Sequence, residues 1–235
     1  MLATQQIPLD AIRSVPLFTD LSDALLAAFV KASSVASFRR NQTIFRENEE
    51  GNALFIILSG KVKVTLIRSD GKEAILAILR AHEFFGEMAL LDDQPRSATV
   101  VALENTRALT LTRQNFVNLI QENPKIVRNI MVTLSGRLRK ANQRIADLAF
   151  LDAIGRICGV LVQMAEEAGE ETDQGILLPN RPSHEQLGMM AGTTRETATH
   201  CMIALERRGY VLATGRDLLL FSPAELRRDF LAPSA

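Results

Sequence analysis

The residues best suited to bind a small molecule stand close together, within residues 85–99. This stretch supplies a carboxylate from Glu87, a guanidinium from Arg96 and a hydroxyl from Ser97. Gly86 opens a turn whose free backbone amides can form an anion-binding nest. Arg96 can bind a phosphate through two parallel hydrogen bonds, whereas Glu87 would repel a phosphate and suits a neutral hydroxyl such as a ribose 2′-OH. The pattern therefore indicates a cyclic nucleotide, and the alternative is a polar β-turn with a structural Arg–Glu pair.

Composition and residue distribution argue against several other classes of protein. The chain has 235 residues, 47% of them hydrophobic, which favours two domains with substantial cores. No apolar run reaches the roughly 18–20 residues needed to cross a bilayer, and the N-terminus does not have the build of a signal peptide, so we expect a cytoplasmic protein with no membrane partner. Cys158 and Cys201 lie in apolar helical patterns, which predicts buried thiols. His82, His184 and His200 are scattered, without the spacing of a metal site or a nucleophile–base pair, so we expect neither a bound metal nor an enzymatic activity.

The first part of the chain, residues 1–122, is predicted to be a β domain. Residues 8–31 suggest short helices, after which the hydrophobic period falls to about two. The predicted strands run from Thr43 to Phe45, Leu54 to Leu58, Val62 to Ile67, Ala74 to Leu79, Ala98 to Ala102 and Ala108 to Thr112. Turn signals separate them, and Asp70-Gly71 is typical of a tight hairpin. Short strands at this spacing favour an antiparallel β-roll of the barrel or jelly-roll type, within a chain that is α+β as a whole.

A long helix is predicted over residues 123–150, after a shorter one from Arg113 to Gln121. Pro124 is tolerated near the start of the long helix. Its apolar residues alternate in spacings of four and three, which gives a heptad seam made of Val127, Met131, Leu134, Leu138, Ala141, Ile145 and Leu148. So narrow a seam indicates a partner helix, most simply the same helix in a second copy of the chain. The alternative is that the seam packs on the chain's own β domain.

The long helix also carries a run of positive charge. Over the whole chain, 27 basic and 27 acidic residues balance. From Lys125 to Arg144, however, there is no acid, and the basic residues are Lys125, Arg128, Arg137, Arg139, Lys140 and Arg144. Such a run is typical of a solvated helix face, and it could also lie above a polyanion.

Residues 151–235 are predicted to form a winged helix-turn-helix. An amphipathic helix over residues 150–168 comes first, and the acidic segment from Glu166 to Gly175 is predicted to be a surface loop. The elements that follow are a helix capped by Ser183 that ends near Met190, a helix capped by Thr193 or Thr194 that runs from Arg195 to Arg208, and strands from Tyr210 to Ala213 and from Asp217 to Phe221. Two short helices joined by a glycine-containing turn are typical of the helix-turn-helix. The alternative is a helical module for dimerisation or docking.

The second helix of this module is predicted to read DNA through its N-terminal end. Packing is assigned to Leu187, Ala191, Ala198, Met202 and Leu205. The outer face is left to Arg195, Glu196, Thr199 and His200. Arg195 suits the edge of a guanine and Glu196 the amino group of a cytosine. Ser183 and Thr197 can hydrogen-bond phosphates.

Taken together, these features resemble the CRP/FNR family of bacterial transcription factors over nearly the whole chain, and most closely its cyclic-AMP-binding branch. The resemblance rests on Gly86-Glu87 with Arg96-Ser97-Ala98, on the junction Leu148-Ala149-Phe150-Leu151-Asp152 with Gly155-Arg156-Ile157, and on Thr194-Arg195-Glu196-Thr197. It implies a homodimer with an N-terminal β-roll, a dimerising helix and a C-terminal winged helix on double-stranded DNA. The implied operator is an inverted repeat of GTGA-like half-sites. Contact with RNA polymerase through the acidic segment from Glu166 to Asp173 is implied as well.

By the same resemblance, the nucleotide site combines a short loop with two residues of the long helix. Its members are Gly86, Glu87, Met88, Arg96, Ser97, Ala98, Ala141 and Asn142. Gly86 and Ser97 would contact the phosphate, whose charge Arg96 would balance. Glu87 would accept a hydrogen bond from the ribose hydroxyl.

Three features depart from the pattern of the cyclic-AMP branch. Ala141 and Asn142 replace a Thr-Ser pair that contacts the adenine, and a missing buried hydrogen bond costs about 1–3 kcal/mol. Cyclic AMP is therefore the first expected ligand, and cyclic GMP and cyclic di-GMP stay open as alternatives. His200 replaces an arginine of the recognition helix, and Glu185 stands where a neutral phosphate-contacting residue is expected. The alternative function is a DNA-binding regulator of the same fold that is constitutive, or controlled by a partner or by redox state.

Overall fold

The computed structural model describes residues 12–231, and it confirms the predicted α+β fold. The chain divides into two compact units, Met1–Leu138 and Arg139–Ala235. The part of the helical prediction that covers residues 8–11 lies outside the described residues. The three-part division into residues 1–122, 123–150 and 151–235 stays a prediction.

Two four-stranded antiparallel sheets form the β domain of the first unit. Their strands are β1 Ser34–Phe38, β2 Thr43–Phe45, β3 Ala53–Ser59, β4 Lys61–Ile67, β5 Glu73–Arg80, β6 Phe84–Phe85, β7 Thr99–Ala102 and β8 Thr106–Thr112. One sheet has the order β1-β8-β3-β6 and the other the order β2-β7-β4-β5. Side chains of both sheets, among them Ile57, Val62 and Val100, share one buried cluster. The two sheets therefore pack on each other, as the predicted β-roll requires.

The sequence predicts six of these strands and misses β1 and β6. The β1 strand pairs only with β8 and is largely exposed, so its side chains show no regular alternation of apolar and polar residues. The β6 strand has two residues, which is too short for any periodic signal. Its position matters, because β6 leads directly into the turn at Gly86.

In the described part of the chain, four α-helices accompany the sheets of this unit, and the last of them continues into the second unit. They are α1 Asp23–Ala32, α2 Met88–Leu91, α3 Arg113–Glu122 and α4 Pro124–Phe150. The hydroxyl of Thr112 caps α3 by accepting a hydrogen bond from the backbone N–H of Asn115. Within α1, Leu26 and Phe29 are buried. The long helix α4 has 27 residues and begins at Pro124, as predicted.

The heptad seam of α4 is only partly covered by the chain itself. Ile126 and Ile130, which lie off the predicted seam, are buried in the core of the first unit, and Leu134 packs against the same core. By contrast, the seam residue Leu138 is 63% exposed and the seam residue Ile145 is 65% exposed. Met131 and Leu148 are also exposed. The chain's own core thus accounts for only part of the seam.

The second unit is built from helices and one small antiparallel sheet. Its elements after α4 are α5 Ala153–Ala168, β9 Glu170–Thr172, β10 Gly175–Leu178, α6 His184–Ala191, α7 Arg195–Arg207, β11 Val211–Thr214, β12 Asp217–Leu220 and α8 Pro223–Phe230. The sheet has the order β11-β12-β10-β9. All the residues predicted to pack the helix-turn-helix, formed by α6 and α7, are buried in one core, namely Leu187, Ala191, Ala198, Met202 and Leu205. The two strands β11 and β12 form the predicted wing.

Two predictions for this unit are corrected by the structure. The segment from Glu166 to Gly175 is not a loop, because α5 continues to Ala168 and β9 pairs with β10. The extension of α5 is consistent with the helix propensity of glutamate. The strand β9 depends on backbone hydrogen bonds to β10, which its exposed acidic side chains give no sign of. The sequence also misses α8, which Ser222 caps and which buries Leu226 in the core.

Candidate functional site

The turn after β6 brings the predicted phosphate-binding residues together. Gly86 has a φ of +84°, which side-chain-bearing residues rarely adopt. A Cβ at this position would lie 2.7 Å from Nη1 of Arg96 and 3.1 Å from the carbonyl oxygen of Ala53. Glycine therefore lets the backbone pass directly against the guanidinium of Arg96.

Arg96 is a buried cation, with only 5% of its surface exposed. Its Nη1 donates to the carbonyl of Gly86 at 2.7 Å, and its Nη2 donates to the carbonyl of Ala53 at 2.8 Å. The guanidinium also lies over the ring of Phe45, 4.2 Å from the ring centroid. Its Nε is buried and has no hydrogen-bond partner. Burial lowers the pKa of Arg96, an effect that Glu87 opposes, and the group nonetheless keeps its charge, as arginine does in proteins.

Glu87 is also buried, with 2% of its surface exposed. Its Oε1 accepts a hydrogen bond from Nη1 of Arg137 at 2.7 Å. Arg137 donates in addition to the carbonyl of Phe84 and lies over the ring of that residue. The other carboxylate oxygen, Oε2, is buried without a partner.

Arg137 is the site residue that sequence reasoning missed. In the sequence, Arg137 is only one member of the basic run on α4. That run predicts a solvated helix face or a surface above a polyanion. The position of Arg137 next to the seam residue Leu138 is only a weak signal of a role in the site. The position does not predict which loop of the β domain packs against this part of the helix. Packing of α4 against the first unit decides that Arg137 meets Glu87.

The remaining predicted members of the nucleotide site fall into two groups. In the first unit, Ala98 is buried beside Arg96, while Met88 and Ser97 are exposed and lie 3.5 Å apart between Sδ and Oγ. In the second unit, Ala141 and Asn142 are exposed on α4, and their contribution to the site stays a prediction.

The two unpartnered atoms define what this site could hold. Nε of Arg96 is a charged donor that lacks an acceptor, and Oε2 of Glu87 is an acceptor that lacks a donor. Buried polar atoms in native proteins are almost always hydrogen-bonded. A charged donor and a carboxylate acceptor match, in chemical type, the anionic phosphate and the neutral ribose hydroxyl of a cyclic nucleotide.

In the second unit, hydrogen bonds define where α6 and α7 begin and end. The hydroxyl of Ser183 accepts from the backbone of Gln186, whose side chain in turn accepts from the backbone of Ser183. This is a capping box. Gly192 closes α6 in the left-handed conformation, and the hydroxyl of Thr194 caps α7 by accepting from the backbone of Thr197. Of the two predicted caps, Thr194 is therefore the one used.

At the N-terminal end of α7, Arg195, Glu196 and His200 are exposed as predicted. The carboxylate of Glu196 accepts hydrogen bonds from its own backbone N–H and from the hydroxyl of Thr194, and these bonds hold its pKa below the usual range. Glu196 is thus an ionised acceptor at neutral pH. An ionised acceptor is what the amino group of a cytosine requires.

Thr199 is half-buried, whereas Arg195, Glu196 and His200 are exposed. Its hydroxyl donates to the carbonyl of Arg195 at 2.9 Å and lies 2.9 Å from Nδ1 of His184. The hydroxyl of Thr199 therefore contacts both the backbone of α7 and the imidazole ring of His184. Thr199 therefore holds His184 against α7, and His184 is a second residue that sequence reasoning missed.

A groove of about 580 Å³ runs along this face of the second unit. Its charged and polar lining includes Arg181, Ser183, His184, Glu185, Arg195 and Arg216. Three guanidinium groups against one carboxylate make the groove suited to a polyanion. Arg216 comes from the turn between the wing strands, so the wing and the reading helix line the same groove.

Comparison with known proteins decides the family. Residues 35–123 match the family of cyclic nucleotide-binding domains, and residues 155–229 match the Crp-like helix-turn-helix domain. The chain is 30% identical over 212 residues to the CRP-like cAMP-activated global transcriptional regulator of Mycobacterium tuberculosis, with 90% of this chain and 95% of that protein covered. The chain belongs to the CRP/FNR family of transcription regulators. This CRP/FNR protein thus joins a cyclic nucleotide-binding domain to a DNA-binding module, a combination that does not favour the nucleotide-independent alternative.

Solved structures of other proteins have a similar fold. A CooA mutant from Carboxydothermus hydrogenoformans aligns with a TM-score of 0.75 at 28% identity and covers 89% of this chain and 90% of that chain. The c-di-GMP responsive global regulator CLP of Xanthomonas campestris aligns with a TM-score of 0.74 at 25% identity and covers 86% of this chain and 100% of that chain.

Across residues 12–231 of this CRP/FNR chain, no group of three or more His, Cys, Asp or Glu side chains is placed to hold a metal ion. Over the same residues, no helix combines the length and the apolar character that a membrane crossing requires.

The two cysteines of this regulator are predicted to be unreactive in the native protein. Burial raises the pKa of the Cys158 thiol to about 12, and burial also raises the pKa of Cys201. Since the thiolate is the reactive form, we expect very slow labelling by a thiol reagent at pH 8. Raising the pH to 10, which ionises an ordinary thiol of pKa about 8.5, should leave Cys158 slow.

The control for this measurement is the same protein unfolded in urea, where both cysteines should label rapidly. Rapid labelling of the native protein at pH 8 would contradict the prediction and would make redox control of this regulator worth considering.

Proposed function

We propose that this CRP/FNR protein is a homodimer whose binding to an inverted-repeat operator is controlled by a cyclic nucleotide. The observation that supports this most directly is the pair of unpartnered buried atoms, Nε of Arg96 and Oε2 of Glu87. Leaving such an atom without a partner costs about 1–3 kcal/mol, and more when the group is charged. A ligand that supplies a phosphate to one atom and a ribose hydroxyl to the other removes both costs.

The site has further capacity for a phosphate. Of the five N–H donors that a guanidinium carries, Arg96 uses two on the carbonyls of Gly86 and Ala53. Donors therefore remain for a two-pronged contact while Arg96 keeps its place. The exposed hydroxyl of Ser97 follows directly in the chain and can add a further hydrogen bond.

Cyclic AMP is the first candidate for the ligand. The Mycobacterium tuberculosis relative is named as cAMP-activated. At Ala141, however, this chain has no hydroxyl for the adenine, and only the amide of Asn142 could replace that contact. An amide can also recognise guanine, and the Xanthomonas campestris neighbour is named as c-di-GMP responsive, so cyclic GMP and cyclic di-GMP are tested beside cyclic AMP.

The ligand test uses isothermal titration calorimetry on protein freed of bound nucleotide. We expect micromolar binding of one of the three nucleotides by the wild type. Arg96→Ala should weaken that binding by about a hundredfold or more, because hydrogen bonds to a charged group are worth about 1.5–3 kcal/mol each. Arg96→Lys should fall between the two, since a lysine keeps the charge and loses the planar fork.

Two outcomes would end the nucleotide proposal. One is that none of the three nucleotides binds to wild-type protein whose fold is verified by circular dichroism. The other is that Arg96→Ala binds the nucleotide as tightly as the wild type does.

Dimerisation is proposed through the open part of the α4 seam. Apolar side chains as exposed as those of Leu138 and Ile145 are unfavourable in a solvated helix, and a second copy of α4 would cover them. Two-fold pairing of identical helices brings each seam residue against its counterpart or a near neighbour. The proposed contact uses Val127, Met131, Leu134, Leu138, Ala141, Ile145 and Leu148.

For the dimer, we expect Leu138→Asp to convert the protein to a monomer in sedimentation velocity experiments, because it places a carboxylate without a partner in the buried seam. The variant should remain folded, since Leu138 is not part of the chain's own core. Val132→Asp is the matched control, because Val132 is an exposed apolar residue of α4 that lies off the seam. If Leu138→Asp stays dimeric, the seam is not the interface.

Control of DNA binding then requires the ligand to prefer one state of the dimer. A nucleotide that binds both states equally would shift nothing, however tightly it binds. In the DNA-competent state, the two α7 helices would enter successive major grooves about 34 Å apart. Arg195 and Glu196 are proposed as base-reading residues. The further proposed contacts are Ser183, Thr197, Thr199 and His200. Contact with RNA polymerase through the surface from Glu166 to Asp173 stays a prediction.

The DNA test measures operator affinity at one fixed salt concentration on a duplex with an inverted repeat of GTGA-like half-sites. Glu185→Gln should strengthen binding about fivefold, because it removes a repulsion of about 1 kcal/mol from a groove that faces phosphates. Arg195→Ala should weaken binding by about 1–3 kcal/mol on this duplex.

Glu171→Gln is the matched control for Glu185→Gln, because it makes the same change of charge on the exposed strand β9, among residues that do not line the groove. Equal effects of the two substitutions would mean that net charge, and not the groove, sets the affinity.

A further inference from the structure

The guanidinium of Arg113 lies near that of Arg96 and contacts the same part of the β domain. Arg113 is the first residue of α3, and its Nη2 donates to the carbonyl of Gly51 at 2.9 Å and to the carbonyl of Ala89 at 2.8 Å. Its other terminal nitrogen pairs with the carboxylate of Asp93. Its backbone N–H donates to the carbonyl of Asn52 at 2.9 Å. One residue thus joins the loop before β3 to α2 and to the turn that follows α2.

The two segments that Arg113 joins are already in close contact. A Cβ added to Gly51 would lie 2.3 Å from Cβ of Ala89 and 3.4 Å from Cζ of Arg96. Any change in the spacing of these segments would therefore move the surroundings of the Arg96 guanidinium. Arg113 is close enough to Arg96 for its charge to add to the lowering of the pKa of Arg96 that burial causes.

Arg96 bridges the same two segments at a second point, through the carbonyls of Ala53 and Gly86. If it were the only bridge, a ligand that drew its guanidinium away would also release the two segments from each other. Arg113 provides a second bridge, which uses the carbonyls of Gly51 and Ala89 and none of the acceptors of Arg96. Its contacts would hold the spacing of the two segments even if Arg96 lost one of its own.

We propose that Arg113 is a positioning residue of the nucleotide site, which fixes the spacing between residues 51–53 and 86–93 so that Arg96 presents its Nε to the phosphate. This inference rests on the proposed nucleotide binding. The role is geometric, because the positive charge of Arg113 is paired with Asp93 and its Nη2 is committed to two carbonyls. The three acceptors are reached by two separate nitrogens of a planar group, whereas a lysine offers only one nitrogen.

The test is calorimetric titration of Arg113→Ala and Arg113→Lys with whichever of the three nucleotides the wild type binds. We expect Arg113→Ala to weaken binding by roughly ten- to a hundredfold, because a misplacement of about 1 Å can cost this much. Arg113→Lys should recover only part of the loss. Added guanidinium chloride at low millimolar concentration should partly restore binding to Arg113→Ala, and sodium chloride at the same ionic strength should not.

The control variant is Arg68→Ala, which removes a guanidinium from an exposed turn of the same unit and should bind the nucleotide within about twofold of the wild type, as surface substitutions usually do. The role of Arg113 is overturned if Arg113→Ala binds as the wild type does, or if guanidinium restores no more binding than sodium chloride does. If Arg113→Ala does not fold, full nucleotide affinity in Arg113→Lys also overturns it, and a partial loss supports it. Failure of the wild type to bind any of the three nucleotides would instead overturn the proposed function, and this inference with it.

Discussion

Burying the guanidinium of Arg96 inside a β domain costs desolvation energy that the surrounding fold must offset. The fold does so with two backbone carbonyls and an aromatic ring, from Gly86, Ala53 and Phe45. The requirement explains why residue 86 is a glycine, since a Cβ there would lie only 2.7 Å from Nη1 of the guanidinium. Carbonyls carry only partial charges, however, and none of the described hydrogen bonds of Arg96 goes to a carboxylate. The cation is therefore stabilised enough to be buried and still attracts an anion, which is the condition of a binding site.

The helix α4 connects this site to the part of the chain that can pair with a second copy. On its buried side, Ile126 and Ile130 anchor it in the core of the first unit, and Arg137 reaches the carboxylate of Glu87. On its other side, the seam residues Met131 and Leu138 are exposed. Arg137 and Leu138 are neighbours in the chain, so a change in the pairing of Glu87 would act next to the seam. The contact between Glu87 and Arg137 is therefore a short structural link by which a bound nucleotide could affect the geometry of a dimer.

The predictions from sequence succeeded where a periodic pattern or a cap recorded the local structure. Strand and helix periods located six of the eight strands of the β domain and the long helix α4, and Ser183 and Thr194 marked the starts of the two reading helices. They failed where the signal was short or depended on pairing. The two residues of β6 could not show a period, and the acidic strand β9 is held by backbone bonds to β10. A helical wheel also cannot show that the hydroxyl of Thr199 contacts His184 and the backbone of Arg195.

The sequence by itself determined the types of groups that the chain can offer, namely a carboxylate, a guanidinium and a glycine turn at fixed spacing, an apolar seam, and two capped helices with a wing. These features are local, because they follow from residue type and from separations of a few positions along the chain. Only the tertiary structure decided which groups meet. Arg137 lies 50 positions from Glu87, and Arg113 lies 62 positions from Gly51. The sequence cannot specify these contacts in advance, because they depend on how the sheets and helices pack. The same packing decides that Nε of Arg96 and Oε2 of Glu87 are left without partners, since a hydrogen bond is satisfied or missing only once the surrounding chain is in place.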